Sequence, residues 1–329
     1  MKPLLPFLLF TFLLGCGQPS KKENQNIVQE VQLFFWSVDW HPRKDLVIAG
    51  GSNSLGLKLI STNDFQESKT WPYQGTITKS KWHPFKNKVA IAVQDGLSKL
   101  AILDVNDNHK LELDSITNYG ARAMGWNSSG ELLAVGDNEG FLTFFNEQGK
   151  FLRKIDTEQK GLMSLNWHPE ENILVTVGEW ISVYYYASDS LSRFEDRNEE
   201  ILMLSVEWNP NGEFFVTGDY GDFIEHHPPL LQYWTRDGER IKAIETSKAE
   251  YRNLSWSSDG EILATASDKI RLWNTNGDLL TEKSTEHLLW GIDWNPHNSR
   301  LVTTDDQGKI TFWTKDLEVV KELQYVEVN

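Results

Sequence analysis

His226 and His227 stand side by side before Pro228 and Pro229, with Asp219, Asp222 and Glu225 close by in the sequence. Two imidazoles and a carboxylate are a zinc ligand set, but adjacent histidines rarely converge on one ion without a further scaffold. Segment 219–231 therefore reads first as an ordered or partner-contacting loop, with metal or ligand binding at His226 and His227 as the weaker alternative. His41, His83 and His168 would make a three-imidazole site if they met. Each follows a Trp in a recurring motif, in places where other copies carry Asn127, Asn209, Ser257 or Asn295. They read as turn residues held apart on separate copies. The single Cys, Cys16, excludes an internal disulfide and a multi-thiolate metal centre. No nucleophile elbow, phosphate loop, helical metalloprotease motif or dinucleotide fingerprint occurs, so no catalytic residue and no cofactor is assigned.

The elements that must position these residues come from an internal repeat. The segment apolar-x-Trp-turn recurs with Trp40, Trp82, Trp126, Trp167, Trp208, Trp256 and Trp294, at steps of 42, 44, 41, 41, 48 and 38 residues. This accounts for seven of the 14 Trp. The spacing matches a four-stranded propeller blade. After each turn comes a short apolar strand, as in 132–136 and 262–266, then an Asp/Gly-rich turn. An alternating strand follows that ends aromatic in five units, as in 141–145, 269–273 and 309–313. A more polar strand closes each unit, as in 151–155 and 240–244, as befits an outer edge. Period-2 alternation bounded by turn residues, with no helical period, predicts an all-β chain: a seven-bladed β-propeller of four-stranded antiparallel blades. Glu318–Leu323 is favoured over Ile27–Gln32 as the outer strand of the last blade.

Composition agrees with a folded soluble body: 24% of the 329 residues are charged and 40% apolar, with 23 Gly and 11 Pro. The formal charge of −15, from 32 Lys+Arg against 47 Asp+Glu, lacks the basic footprint of a general nucleic-acid binder.

Ile262 to Trp273 and Leu301 to Trp313 resemble the WD-repeat (WD40) family, and the likeness extends over about nine-tenths of the chain. The Trp-Asp pair itself is replaced by Trp234-Thr235, Trp273-Asn274 and Trp313-Thr314, and the Gly-His before the first strand is missing. The family's Asp–His–Ser/Thr–Trp network is thus expected to be incomplete, blade 6 with Thr265, Asp268 and Trp273 being its best remnant. The resemblance implies a non-enzymatic scaffold for protein partners.

Along each first strand, the residues one before the Trp (Asp39, Lys81, Gly125, Asn166, Glu207, Ser255, Asp293) and three before it are small or polar. They are expected to line a central channel as scattered, solvated charges rather than a convergent catalytic set. Four before the Trp come Trp36, Arg122, Arg252 and Trp290, with Tyr119 and Tyr251 near; Trp180 and Tyr220 occupy turns on the same face. Trp, Tyr and Arg dominate binding hot spots, and loops on a rigid scaffold carry function. These eight residues form the candidate partner-binding surface, mutual packing of Trp36 and Trp290 being the alternative. Rival functions are a hydrolase or lyase at the channel mouth and a ligand or metal binder using 219–231.

Residues 1–15 carry one Lys and an apolar run from Pro3 to Leu14. That run is too short to span a bilayer and has the length of a secretory signal. Leu13-Leu14-Gly15-Cys16 resembles the lipobox of bacterial lipoproteins. This implies cleavage before Cys16, its acylation, and attachment to a membrane of the cell envelope on the extracytoplasmic side, where two or more acyl chains anchor stably. Gly17, not Asp, after the Cys implies by the same resemblance an outer membrane where the organism has one. Residues 16–30 read as lipidated Cys and flexible tether, and 31–329 as the propeller.

Overall fold

The computed structural model describes residues 33–95, 100–113, 120–194, 201–222 and 226–326. The signal segment, Cys16, the tether, Ile27–Gln32 and Tyr119 lie outside these residues. The compact unit Gln32–Asn329 holds seven antiparallel four-stranded sheets, each built from four consecutive strands in sequence order. The first, inner strands are Phe35–Trp40, Thr76–Trp82, Ala121–Trp126, Ser164–Trp167, Met203–Trp208, Asn253–Trp256 and Leu289–Trp294. Each packs on the inner strand of the next, and the seventh packs back on the first, which closes the ring. No helix occurs among the described residues.

The closing force is visible in the packing. A sheet of this kind has two apolar faces and must bury both. Seven apolar clusters fill the seven gaps between neighbouring blades. The gap between blades 7 and 1 is no weaker than the rest: Phe35, Val38 and Trp40 meet Val302, Ile310 and Phe312 there, all buried. The outer strand of blade 7 is Val319–Gln324, paired antiparallel with Lys309–Thr314. The C-terminal segment therefore supplies the last strand, and blades 7 and 1 are joined by packing.

The turn histidines perform a shared task. Nδ1 of His41 accepts from the Arg43 N–H, Nδ1 of His83 from Phe85 and Lys86, and Nδ1 of His168 from Glu170 and Glu171. Asn209 and Asn295 accept from the turn in the same way through their amide oxygens. Each imidazole also lies against the next blade's Trp, His41 on Trp82, His83 on Trp126 and His168 on Trp208, with centroids 4.6–4.9 Å apart. Gly130 and Gly212, both left-handed, sit so close that a Cβ would fall 2.4–2.5 Å from the His83 or His168 ring. Glycine is required there twice over, for φ and for room.

Among the described residues three blades show the Thr–Trp half of the network expected from the WD-repeat resemblance. Indole N–H groups of Trp234, Trp273 and Trp313 donate to Thr217, Thr265 and Thr303 at 2.9–3.2 Å. Asp268 of blade 6 pairs with Arg271 and Ser247, with no histidine in the set.

Candidate functional site

Two features meet on the ring axis, a polar channel and an aromatic–guanidinium cap at one of its ends. The channel is a cavity of about 300 Å³. Its walls include Asp39, Lys79, Lys81, Asn166, Glu207 and Asn253, from the positions one and three before each Trp, as strand alternation requires. They do not form the scattered, solvated set expected from sequence. Ring closure brings blades that are far apart in the chain around one axis, and their charges converge half-buried.

Much of this polarity is engaged between blades. The carboxylate before the Trp in one blade accepts the main-chain N–H of the Trp in the next: Asp293 from Trp40 and Asp39 from Trp82, each at 2.7 Å. Asn166 does the same for Trp208 at 3.0 Å and Ser255 for Trp294 at 3.2 Å. Asp39 also pairs with Lys81, and Ser255 donates to Asp293 at 2.9 Å. The Asn166 amide donates to Glu207 at 3.1 Å. Lys79 of blade 2 reaches across the axis to the Asn253 oxygen of blade 6, 3.0 Å away.

Burial sets the proton affinities. It pushes the Glu207 and Asp293 carboxyls well above the usual carboxylate range, against the pull of the lysines. Burial and the neighbouring Lys81 charge hold Lys79 below an ordinary lysine. Burial would also lower Lys81, but the Asp39, Asp293 and Glu207 carboxylates outweigh it and raise that group.

The cap is built by a repeated irregularity. In five inner strands the pairing with the second strand skips one residue: Trp36, Thr78, Arg122, Leu204 and Trp290. Such a bulge bends the strand and re-aims the extra side chain. In blade 6 Arg252 immediately precedes the inner strand Asn253–Trp256. Trp36 and Trp290 pack at 5.1 Å between centroids, and Phe34 stands 5.9 Å from the first and 5.0 Å from the second. The Arg252 guanidinium lies 5.3 Å from the Trp36 ring and 4.6 Å from Trp290, and Arg122 lies 5.3 Å from Trp36. Blades 1, 3, 6 and 7 thus contribute to one pile. Glu250 pairs with Arg252 at 2.7 Å. Arg122 donates to the Gln94 oxygen at 3.1 Å and has no carboxylate partner among the described residues. Burial, then the Arg252 charge, lowers its proton affinity.

The remaining candidates separate. Tyr220 is 48% exposed beside this face. Trp180 is half-buried beneath Arg193, whose guanidinium carbon is 3.6 Å from the ring centroid. Tyr251 drops out of the surface: it is fully buried between blades 5 and 6 with Leu231, Tyr233 and Trp273, where burial raises its hydroxyl's proton affinity. Its aromatic ring fills a core gap, a role that its place beside Arg252 in sequence does not reveal. Mutual packing and guanidinium stacking both hold for Trp36 and Trp290, so the two readings of that pair are compatible.

His226 and His227 are exposed. His226 takes a left-handed backbone (φ 62°), and His227 bridges the main chain of Asp222. Asp219 spends one carboxylate oxygen on the N–H groups of Gly221 and Leu230. Among the described residues no group of three His, Cys, Asp or Glu is placed to hold a metal ion. Lys79 lines the channel, as its place three before Trp82 leads one to expect, but its reach across the axis to Asn253 was not legible in the sequence. Nor was the turn-capping role of Asp137, Asp219 and Asp305, each accepting two main-chain N–H groups at the end of the second strand.

No protein-family model matches the chain. Over 146 residues it is 23% identical to F-box-like/WD repeat-containing protein TBL1X of Mus musculus, covering 40% of this chain and 28% of that protein. It is 23% identical to F-box-like/WD repeat-containing protein TBL1Y of Homo sapiens, over 40% and 28%. Against TBL1X of Homo sapiens it is 22% identical, over 40% and 25%. The chain spans about a quarter of the length of these curated relatives.

Proposed function

From a seven-bladed propeller with weak similarity to WD-repeat proteins, we propose a lipid-anchored envelope protein whose propeller docks other proteins on the face that carries the cap. A WD-repeat propeller suggests a protein-interaction scaffold, and the finer statement rests on one observation. Trp36, Trp290, Arg122 and Arg252 from four blades converge at one end of the ring. Rigid aromatic and guanidinium groups are the usual anchors of an interface, and a closed ring presents them with little ordering entropy to lose. Tyr220 and Trp180 extend the same face. Anchoring rests on the Leu-Leu-Gly-Cys16 pattern behind a short apolar run, and the acidic charge argues for the lipid as the means of attachment and against nucleic acid as partner.

The reading is non-catalytic. Asp39 and Asp293, two of the three channel carboxylates, are committed to the Trp82 and Trp40 amides. A general acid or base needs its oxygens free for the substrate.

A photo-crosslinker at position 220 tests the face. In intact cells it is expected to trap a defined partner, whereas the same group at position 85, in the turn that follows the blade 2 inner strand, traps none. Trapping only from position 85 overturns the choice of face. Fatty-acid label carried by the parent and lost in Cys16→Ser supports the anchor; label retained in that variant refutes it.

A further inference from the structure

The axial cavity is a pit spanned at one end by a cross-axis hydrogen bond. Its walls run from the inner strands to Pro42, Pro84 and Ser128 in the turns after them. At the other end Lys79 crosses the axis to Asn253, whose amide in turn donates to the Trp290 carbonyl beneath the cap. The pit therefore opens away from the docking face.

Opposite charges face one another inside it without meeting. Among the described residues no ion pair joins Glu207 of blade 5 to either lysine of blade 2. Glu207 accepts one hydrogen bond, from Asn166, through a single oxygen, Oε2. The Lys79 ammonium has three donors and spends one on Asn253. Lys81 spends one on Asp39. Between them blade 3 contributes only Gly125 from the position before its Trp, and blade 4 contributes the short Ser164 and Asn166. Lys79, Lys81 and Glu207 are each half-buried, the Lys81 side chain keeping 33% of its surface exposed, so their remaining donors and acceptor are presented to the cavity they line.

We infer that the pit binds a small zwitterion of the α-amino-acid class, its ammonium against Glu207 and its carboxylate against Lys79 and Lys81. A cavity of about 300 Å³ is at the small end of ligand pockets and suits such a molecule. The fixed charges are complementary in sign to both of its ends. A solute of one charge would satisfy one wall and leave the other as it was. The site is independent of the docking face.

Calorimetric titration of the purified full chain tests this, with glycine, L-glutamate and L-lysine as probes up to about 10 mM, and with methylamine and acetate as single-charge controls. Saturable binding of at least one amino acid, absent with both controls, is expected. Glu207→Gln is expected to weaken it about tenfold, the loss of one charge-assisted hydrogen bond. In the parent, affinity should fall as pH drops and Glu207 takes up its proton. This second readout stands even if the variant fails to fold. No saturable binding by any amino acid overturns the inference, as does equal binding of the controls or affinity indifferent to both Glu207→Gln and pH.

Discussion

The Asp39 carboxylate holds the Trp82 amide with one oxygen and Lys81 with the other. It thereby ties blade 1 to blade 2 at the axis, where the ring has least apolar surface to offer. Asp39→Ala leaves a buried amide and a half-buried ammonium unpaired, and is expected to cost about 2–3 kcal/mol in urea unfolding. Lys110→Ala removes an exposed pair with Glu112 and should change stability by less than about 0.5 kcal/mol. The turn histidines make a pH prediction. Burial lowers the proton affinity of His41 and His83, so between their folded values and the ordinary 6.5 the unfolded chain binds more protons. The stability they lend is complete above the unfolded value and is lost as pH falls through that window. Glu207 and Asp293 act with opposite sign: in the fold they keep their protons to a higher pH than in the unfolded chain, and the stability this lends, complete below the ordinary carboxylate values, is lost as pH rises through their raised values. The two effects separate by substitution. His83→Asn keeps an acceptor for the turn, as Asn209 does in blade 5, and removes the titration. Unfolding midpoints between pH 5 and 7.5 should show a shallower acid-side fall in the variant; parallel profiles would contradict this.

Between blades, the strands' own geometry decides which side chains meet. The His168 ring rests against Gly212 of the next blade, whose φ is +74°. Gly212→Ala therefore adds left-handed strain and a clash, about 2 kcal/mol together. In a His168→Asn background the clash should ease, because the corresponding Asn209–Gly260 contact leaves 3.1 Å for a Cβ. About 1 kcal/mol of coupling is then expected in a double-mutant cycle, and strict additivity would contradict the packing described. The repeat made these elements legible. The spacing of Trp40, Trp82 and their successors located every inner strand, and the apolar runs after them located the second strands, 173–177 and 262–266 to the residue. The bulges at Trp36, Arg122 and Trp290 were not legible. A one-residue slip in pairing depends on the partner strand's register, and no local pattern of residue types records it. Tyr251 was misread for the same reason: its neighbours in space, Tyr233 and Trp273, are fixed only when blades 5 and 6 pack.

At the scale of the whole ring, seven similar gaps carry the fold, and the molecule's polarity is sorted by axis and rim. Outer strands such as Leu279–Ser284 are exposed along their length, whereas the axis gathers Lys79, Lys81, Asp39, Glu207 and Asp293. Their places one and three before each Trp lead one to expect them at the axis, but which of them pair between blades could not be read along the chain, because that exists only once blade 7 meets blade 1. The docking account requires that the cap end of the ring make the energetic contact with a partner. The most direct test is the dissociation constant of the partner trapped from position 220, measured with the parent protein and with Trp36→Ala and Arg122→Ala, both checked for an unchanged unfolding midpoint. A loss of at least about tenfold, or about 1.4 kcal/mol, in each variant is predicted. A dissociation constant unchanged in both would contradict the account.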